Sequence, residues 1–290
     1  MPDRSHDLIS RINSTTQRFS KGQRRISAYI LEHYDRAALM TAAKLGEASG
    51  VSESTIVRYA TALGYDGYPQ LQKAIQEMVR NRLTAAQRME IASDVENTDI
   101  LLTILRQDMQ NLRALLDEID VEVFHKVKQA LLNARKIYVI GLRASSPLAA
   151  FLGYYLNYIF DNLLVITQGG SEVREQLART GPGDVLLGIS FPRYSNRTIE
   201  SMKFARSLGA TTIAITDSVN SPMGKTADYC LTARSTMASF VDSLVAPLSL
   251  INALIVSLGM EKKGELSTYF EKLELIWNDT AIYSNGEEKK

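Results

Sequence analysis

The hydrophobic period of the chain changes once, near residue 136, and no other feature of the sequence restricts the fold as much. Before that point apolar residues recur at spacings of three and four, the mark of amphipathic helices. Beyond it, short runs of β-branched and other apolar residues alternate with helical stretches. The runs are 136–140 (KIYVI), 163–167 (LLVIT), 184–190 (DVLLGIS), 211–216 (TTIAIT) and a shorter 229–232 (YCLT). Helical segments over 146–160, 171–179 and 196–208 separate the first four. That alternation predicts βαβ units and a parallel sheet covered on both faces. The expected fold is therefore multidomain: an all-α domain, then a three-layer α/β domain, with closing helices over 240–258 and 265–279.

Two domains suit a chain of 290 residues. Hydrophobic residues at 45% and charged residues at 22% match an ordinary globular protein and exclude a disordered chain, a collagen-like repeat or a disulfide scaffold. The single cysteine, Cys230, allows no intrachain disulfide and no Cys-rich zinc site, which points to a reducing compartment. MPDRSHDLIS at the start has no apolar run behind its charges, so no signal peptide is expected. The most apolar stretch, 246–258, is too short for a membrane span and carries Ser249, Asn252 and Ser257. A cytoplasmic protein without a membrane partner is expected. The expected divisions are 1–82 (helix-turn-helix domain), 83–120 (helical connector), 121–283 (α/β ligand-binding domain) and 284–290 (disordered tail).

In the first domain, Ser20 is expected to cap a helix over 23–34 whose apolar positions Ile26, Tyr29, Ile30 and His33 follow helical spacing. A second helix over 41–49 ends at Gly50. A third opens at Ser52 and ends before Gly64. Residues 64–69 form a turn, and a fourth helix covers 70–81. Further on, Thr98 can cap 100–116 and Asp120 can cap 122–133. The stripe Leu101, Ile104, Leu105, Met109, Leu112 and Leu116 reads chiefly as packing against the body, with a dimer seam or signal-carrying connector as the other reading.

Residues 45–59 (LGEASGVSESTIVRY) have the pattern of two helices crossing at a sharp angle. Gly46 sits at the closest contact, Gly50 makes the turn, and Val51 and Ile56 plug the space between. An ordinary helical hairpin uses the same turn glycines. Small, apolar, turn and capping residues all fall in place here, which favours DNA binding by the second helix. Ser52, Glu53, Ser54, Thr55 and Arg58 then face outward, with Arg58 suited to a guanine or phosphate contact. Arg24, Arg25 and Lys44 are candidate backbone contacts. The charge distribution agrees: residues 1–82 hold 12 Lys+Arg against 8 Asp+Glu, a net +4 on an otherwise acidic chain.

In an open parallel sheet, ligands bind beyond the carboxyl ends of the strands. The loop after the first run is 141–147 (GLRASSP), in which Ser146 is expected to cap a helix with Pro147 in its first turn. After the third run comes 190–198 (SFPRYSNRT), and after the fourth come Asp217 and Ser218. Hydroxyls and backbone N–H groups at helix starts suit a phosphate. Arg143, Arg193 and Arg197 can add charge, and Asp217 can hold sugar hydroxyls. Serine and threonine also cap helices that bind nothing, so two such loops count for more than one. No P-loop and no dinucleotide fingerprint is present.

These residues resemble a known family. Val51-Ser52-x-x-Thr55-Ile56-Val57-Arg58, followed by Leu63-Gly64-Tyr65-x-Gly67-Tyr68, is similar to the helix-turn-helix of the RpiR family of bacterial transcriptional regulators. The sheet domain resembles a sugar isomerase (SIS) domain. The resemblance spans about residues 5–258. It implies a regulator that binds a double-stranded DNA operator as a homodimer or homotetramer and senses a sugar phosphate. It implies ligand contacts from Ser145 and Ser146, then Ser190, Ser195 and Thr198, to which the loop composition adds Arg143, Arg193, Asn196 and Asp217. The second loop departs from the commoner Ser-x-Ser-Gly-x-Thr form, with 191–194 (FPRY) lengthening it and Asn196 in place of glycine.

The rival reading is a phosphosugar isomerase with an added helical domain. Isomerisation needs a base that works near neutral pH. His6, His33 and His125 all precede the sheet domain. Glu172 is the one carboxylate placed to serve, and it reads more readily as a favourable charge at a helix start. Glu200 reads as solvated and Cys230 as core. A regulator without enzymatic activity, cofactor or metal is the expectation.

Overall fold

The computed structural model describes residues 8–15, 17, 19–38, 40–82, 100–236, 241–280 and 282. The Thr98 cap, connector residues 83–99, His6, Phe240 and the tail 284–290 lie outside them. The chain divides into two units, Met1–Glu96 and Asn97–Lys290.

The first unit comprises α1 (Leu8–Thr15), α2 (Lys21–Glu32), the short α3 (Tyr34–Ala37), α4 (Ala42–Ser49), α5 (Glu53–Ala62) and α6 (Tyr68–Arg82). Local chemistry sets most of the boundaries. Ser20 and Gln23 form a reciprocal capping box on α2. Thr41 caps α4 by accepting from the Lys44 N–H at 3.3 Å. Gly50 ends α4 with φ 66°, a left-handed backbone that glycine adopts without strain. α6 begins at Tyr68, two residues earlier than expected. Pro69 suits a first helical turn, and the Tyr68 hydroxyl anchors that turn by donating to the Met40 carbonyl at 2.5 Å.

Ile26, Ile30, Leu45, Ile56, Tyr59, Leu71 and Ile75 form the core of this unit, each fully buried. Tyr59 shares a 2.7 Å hydrogen bond with Ser27 between α5 and α2. A Cβ on Gly46 would meet the Val51 carbonyl oxygen at 2.9 Å, so α4 and the start of α5 approach as closely as backbone allows. Gly46→Ala is expected to destabilise this unit by about 1–3 kcal/mol, because the clash outweighs the gain of about 1 kcal/mol in helix propensity. Thermal unfolding of the pair checks this, and an unchanged or higher melting temperature overturns it.

Burial raises the Tyr59 hydroxyl well above the usual tyrosine range and that of Tyr68 to about 12. Both therefore stay protonated in the folded unit when the unfolded chain ionises. Their contribution is complete below pH 10 and falls as the pH rises from there through the folded values. Unfolding measured from pH 8 to 11 should show this loss, with a shallower slope for Tyr59→Phe. Equal slopes would remove Tyr59 as a cause.

The second unit begins with α7 (Ile100–Glu118) and α8 (Val121–Leu132). There follow β1 (Ile137–Gly141), α9 (Ser146–Ile159), β2 (Leu163–Ile166), α10 (Val173–Leu177), β3 (Val185–Ile189), α11 (Asn196–Ser207), β4 (Thr211–Thr216) and β5 (Tyr229–Thr232). α12 (Val245–Glu261) and α13 (Lys263–Asp279) close it. The five strands are parallel in the order β2-β1-β3-β4-β5. Alternate side chains go to opposite faces. Ile137, Val139, Val185, Leu187, Ile213 and Ile215 pack against α8, α9 and α12. Tyr138, Ile140, Leu186 and Ala214 pack against α10 and α11. Cys230 joins the latter side, where burial and the nearby Asp217 carboxylate push its thiol up to about 11.

One packing expectation fails on α7. Its apolar stripe is largely open: Leu101, Leu105, Met109 and Leu116 are exposed. The helix instead docks through a neighbouring face carrying Asn111, the one residue of α7 that is buried, with Leu112, Leu115 and Ile119 packed on the core. Two polar contacts accompany that packing. Ser243 donates to Asp108 at 2.5 Å, and Arg234 pairs with Glu118.

Candidate functional sites

In the first unit, the N-terminus of α5 lies beside that of α2. Between them runs a concave surface of about 650 Å³ lined by Ser20, Lys21, Gly22, Gln23, Arg25, Gly50, Val51, Ser52, Thr55 and Arg58. Ser52 occupies the N-cap of α5 but caps nothing. Its hydroxyl pairs with Ser54 Oγ at 3.0 Å and Thr55 Oγ1 at 2.9 Å. Arg58 folds back over its own helix, donating to the Ser54 carbonyl and to Thr55 Oγ1, both at 3.3 Å. Arg25 spreads its guanidinium over the Gly50 turn.

Ser52, Thr55, Arg58 and Arg25 thus share one surface. Glu53 and Ser54 are exposed next to it. Arg24 and Lys44 do not line it, and Arg24 donates to the Phe19 carbonyl at 3.2 Å. Sequence reasoning missed Lys21 and Gln23, because nothing local shows that the start of α2 meets the start of α5. It also missed Val57, which is exposed on α5. Two helix N-termini carry orphan N–H groups and partial positive charge, so with Lys21, Arg25 and Arg58 the surface attracts anions.

In the second unit the sheet order creates the site. Strands β2 and β3 lie on opposite sides of β1, so the switch point of the sheet falls between β1 and β3, the place where an open parallel sheet offers a crevice beyond its carboxyl ends. Both serine-bearing loops border it. After β1, Gly141 is pressed against its own loop: an added Cβ would sit 2.7 Å from the Ser145 carbonyl oxygen and 2.8 Å from Ala149 Cβ. A single 3-10 turn, Arg143–Ser145, leads into α9. The cap position belongs to Ser145 and not to Ser146, which is the first helical residue. The 3-10 turn sets this, because it carries Ser145 into a near-helical backbone and moves the cap back by one residue. Ser145 is buried and Ser146 half-buried.

After β3, the Ser190 hydroxyl accepts from the Ser195 N–H at 3.1 Å, and the Ser195 hydroxyl caps α11 by accepting from the Thr198 N–H at 3.3 Å. Each hydroxyl used as an acceptor keeps its proton to donate. Thr198 is fully buried, and its Oγ1 has no hydrogen-bond partner. Arg143 and Arg193 both adopt left-handed backbones, with φ 56° and 62°. Such strain costs about 1–3 kcal/mol at each position and gathers at functional sites.

Asn196 and Arg197 are exposed at the start of α11. Arg197 reaches the loop after β2, where a Cβ on Gly169 would lie 3.5 Å from its Cδ. Asp217 accepts from the Tyr194 hydroxyl at 2.7 Å and from Thr216 at 3.3 Å, a tie between the β3 and β4 loops that the sequence did not announce. Glu172 and Glu200 are exposed, and Glu200 pairs with Lys203. His33 ends α2 and His125 is exposed on α8. Among the described residues no group of three or more His, Cys, Asp or Glu is placed to hold a metal ion, and no single helix is long and apolar enough to cross a membrane.

Since the Thr198 hydroxyl makes no bond within the protein, Thr198→Val is expected to change stability by less than about 0.5 kcal/mol or to raise it. Chemical denaturation measures this. A loss above 1 kcal/mol would mean that the hydroxyl has a structural partner.

Comparison with known proteins identifies the domain type of both units. Residues 6–82 match the helix-turn-helix domain of the rpiR family, and residues 130–257 match the SIS domain. An uncharacterised HTH-type transcriptional regulator of Caldanaerobacter subterraneus is 25% identical, covering 91% of this chain and 95% of the relative. The HTH-type transcriptional regulator HexR of Pseudomonas aeruginosa is 26% identical over 78% of each. The sugar isomerase domain of an RpiR transcription factor from Sphaerobacter thermophilus superposes with TM-score 0.59 at 26% identity, covering 61% of this chain and 99% of that one. The NanR protein of Vibrio vulnificus, solved with ManNAc-6P, has the same fold over 96% of this chain and all of its own, with TM-score 0.58 at 22% identity.

A helix-turn-helix unit followed by an α/β unit of this type defines a DNA-binding transcriptional regulator. The chain belongs to the RpiR family.

Proposed function

We propose that this regulator senses a sugar phosphate at the β1/β3 crevice and that the ligand changes its grip on operator DNA. The observation that carries the reading is the buried, unpartnered Thr198 hydroxyl at the start of α11. A phosphate only accepts hydrogen bonds. The hydroxyls of Ser190, Ser195 and Thr198 and the first N–H groups of α11 have donors to offer it. Ser145, Ser146 and Asn196 border the same crevice. Arg143, Arg193 and Arg197 supply charge, and Asp217, already bound to Tyr194, is the acceptor for a sugar hydroxyl.

DNA meets the surface where α2 and α5 begin. Ser52, Ser54 and Thr55 are short enough to let α5 enter a major groove, and Arg58 unfolds from its helix to reach a base or phosphate. Val57 suits a thymine methyl group. Arg25 holds the backbone nearby, with Glu53, Arg24 and Lys44 at the edge. Two recognition helices one helical turn apart require at least a homodimer. Coupling requires that the ligand bind the DNA-competent and incompetent arrangements with different affinity.

We read the crevice as a sensor and not a catalyst. Its hydroxyl, arginine and amide groups bind and orient, while the carboxylate suggested as a base, Glu172, is exposed at a helix start. The protein is read as cytoplasmic, and it needs no cofactor for this role.

The test is thermal unfolding of the purified protein with a panel of sugar phosphates, the free sugars and inorganic phosphate. A ligand at 100 times its Kd adds about 2.7 kcal/mol to the folded state. The expected result is stabilisation by one or more sugar phosphates and none by the sugars. Ser195→Ala should weaken that binding at least tenfold and leave operator affinity intact. Arg58→Ala should do the reverse, measured by fluorescence anisotropy on operator DNA. Loss of both activities in either folded variant would overturn the two-site assignment, and turnover of a bound sugar phosphate would favour the isomerase.

A further inference from the structure

α7 is the first helix of the second unit, and its seat on the body is imperfect in one respect. Asn111 is buried there, and its side-chain NH2 group has no hydrogen-bond partner. Such an amide has given up its water and gained nothing in return, which weakens the seat. Two polar ties hold the helix as well, and both come from the connection between β5 and α12. Two residues beyond β5, Arg234 grips Glu118 as a fork: Nε donates to Oε2 at 3.0 Å and Nη2 donates to Oε1. Two residues before α12, Ser243 donates to Asp108 at 2.5 Å. The Arg234 and Glu118 side chains are each about half exposed, so their pairing adds little to stability and is easily broken. The Arg234 tie leads back to the crevice in short steps. The Ala233 N–H donates to the Thr216 carbonyl at 2.8 Å, and both residues are buried. The Thr216 hydroxyl donates to the Asp217 carboxylate at 3.3 Å, and that carboxylate accepts from the Tyr194 hydroxyl at 2.7 Å.

We propose that α7 is the element that relays occupancy of the crevice, along the route Tyr194, Asp217, Thr216, Ala233, Arg234 and Glu118. The inference rests on the sensor reading above and deepens it by naming how that site is coupled to the rest of the chain. A ligand hydroxyl that bonds Asp217 competes with Tyr194 and Thr216 for the carboxylate. The end of β4 readjusts, Ala233 follows through its backbone hydrogen bond, and the Arg234 fork loses its alignment with Glu118. That last step is steep, because two parallel N–H···O bonds require the guanidinium and the carboxylate to face each other squarely. The unsatisfied Asn111 amide keeps the seat of α7 near balance, so the loss of one tie is enough to shift its population. α7 follows directly on the division between the two units, which makes it the part of the α/β unit nearest in sequence to the DNA-binding unit.

The experiment reads α7 directly, by hydrogen exchange over residues 100–118 of the full chain, and needs no ligand. Tyr194→Phe removes the first link and should speed exchange of α7 by about threefold or more. Arg234→Gln should do the same, and the two together should add nothing to either alone, because both cut one route. The swapped pair, Arg234→Glu with Glu118→Arg, should return to the wild-type rate. Asn111→Leu should slow exchange and mask the effect of Tyr194→Phe. Additive effects of Tyr194→Phe and Arg234→Gln, or wild-type exchange in Tyr194→Phe, would overturn the route. Faster exchange in Asn111→Leu would overturn the weakened seat. Thermal unfolding with the sugar-phosphate panel separates this inference from the sensor reading. Stabilisation there, with α7 unresponsive to Tyr194→Phe, leaves the sensor standing and removes the relay. A blank panel with a responsive α7 leaves the relay from the crevice loops standing and removes the sugar phosphate. Arg234→Gln should bind a sugar phosphate found in that panel as tightly as the wild type does, while the effect of that compound on operator affinity falls by about fivefold or more. An undiminished effect would overturn the relay.

Discussion

The ordering of five parallel strands is the constraint on which the second unit depends. A parallel sheet with no polar face must be covered on both sides, so its helices must divide between them. Here α8, α9 and α12 take one side and α10 and α11 the other. The division forces the connections from β1 and β3 apart, and that parting opens the crevice. The crevice residues are polar because they are the first ones beyond the sheet's interior. The proposed site is thus a by-product of covering the sheet, refined by the residues that happen to start α9 and α11.

That refinement has a cost in local stability, visible in three places. Arg143 and Arg193 hold backbones that glycine would adopt more easily. Thr198 buries a hydroxyl with no bond to repay its desolvation. A protein selected only for stability would have Gly, Gly and Val at these positions. Their presence together on the loops bordering one crevice is better explained by binding than by folding. The first unit shows a milder form: Ser52 gives up its capping bond and joins a cluster of exposed hydroxyls with Ser54 and Thr55.

Much of this was legible in the chain itself, and for stated reasons. Period and turn chemistry are local, so the helix-turn-helix, the five strands and most helix limits follow from residues near each other. The capping box at Ser20, the left-handed Gly50 and the Ser195 cap are of this kind. The two serine-rich loops also stand out, because a strand end followed by a helix cap is a local event. The misplaced start of α6 and the misassigned cap of α9 come from the same level, where Pro69 moved a boundary by two residues and the 3-10 turn at Arg143–Ser145 moved a cap by one.

What the sequence by itself determined was therefore the class of each unit and the family to which the chain belongs, and it singled out the loops proposed to carry function. Tertiary structure decided everything that joins residues far apart. It chose the order β2-β1-β3-β4-β5, which brings the loops of β1 and β3 to one crevice. It set the start of α2 beside α5, adding Lys21 and Gln23 to the recognition surface. It tied Tyr194 to Asp217 across two loops. It turned the stripe on α7 outward, because the choice among a helix's faces depends on which partner surface offers the better contacts. Hydrophobic periodicity states that a face is apolar, and only packing states what, if anything, covers it.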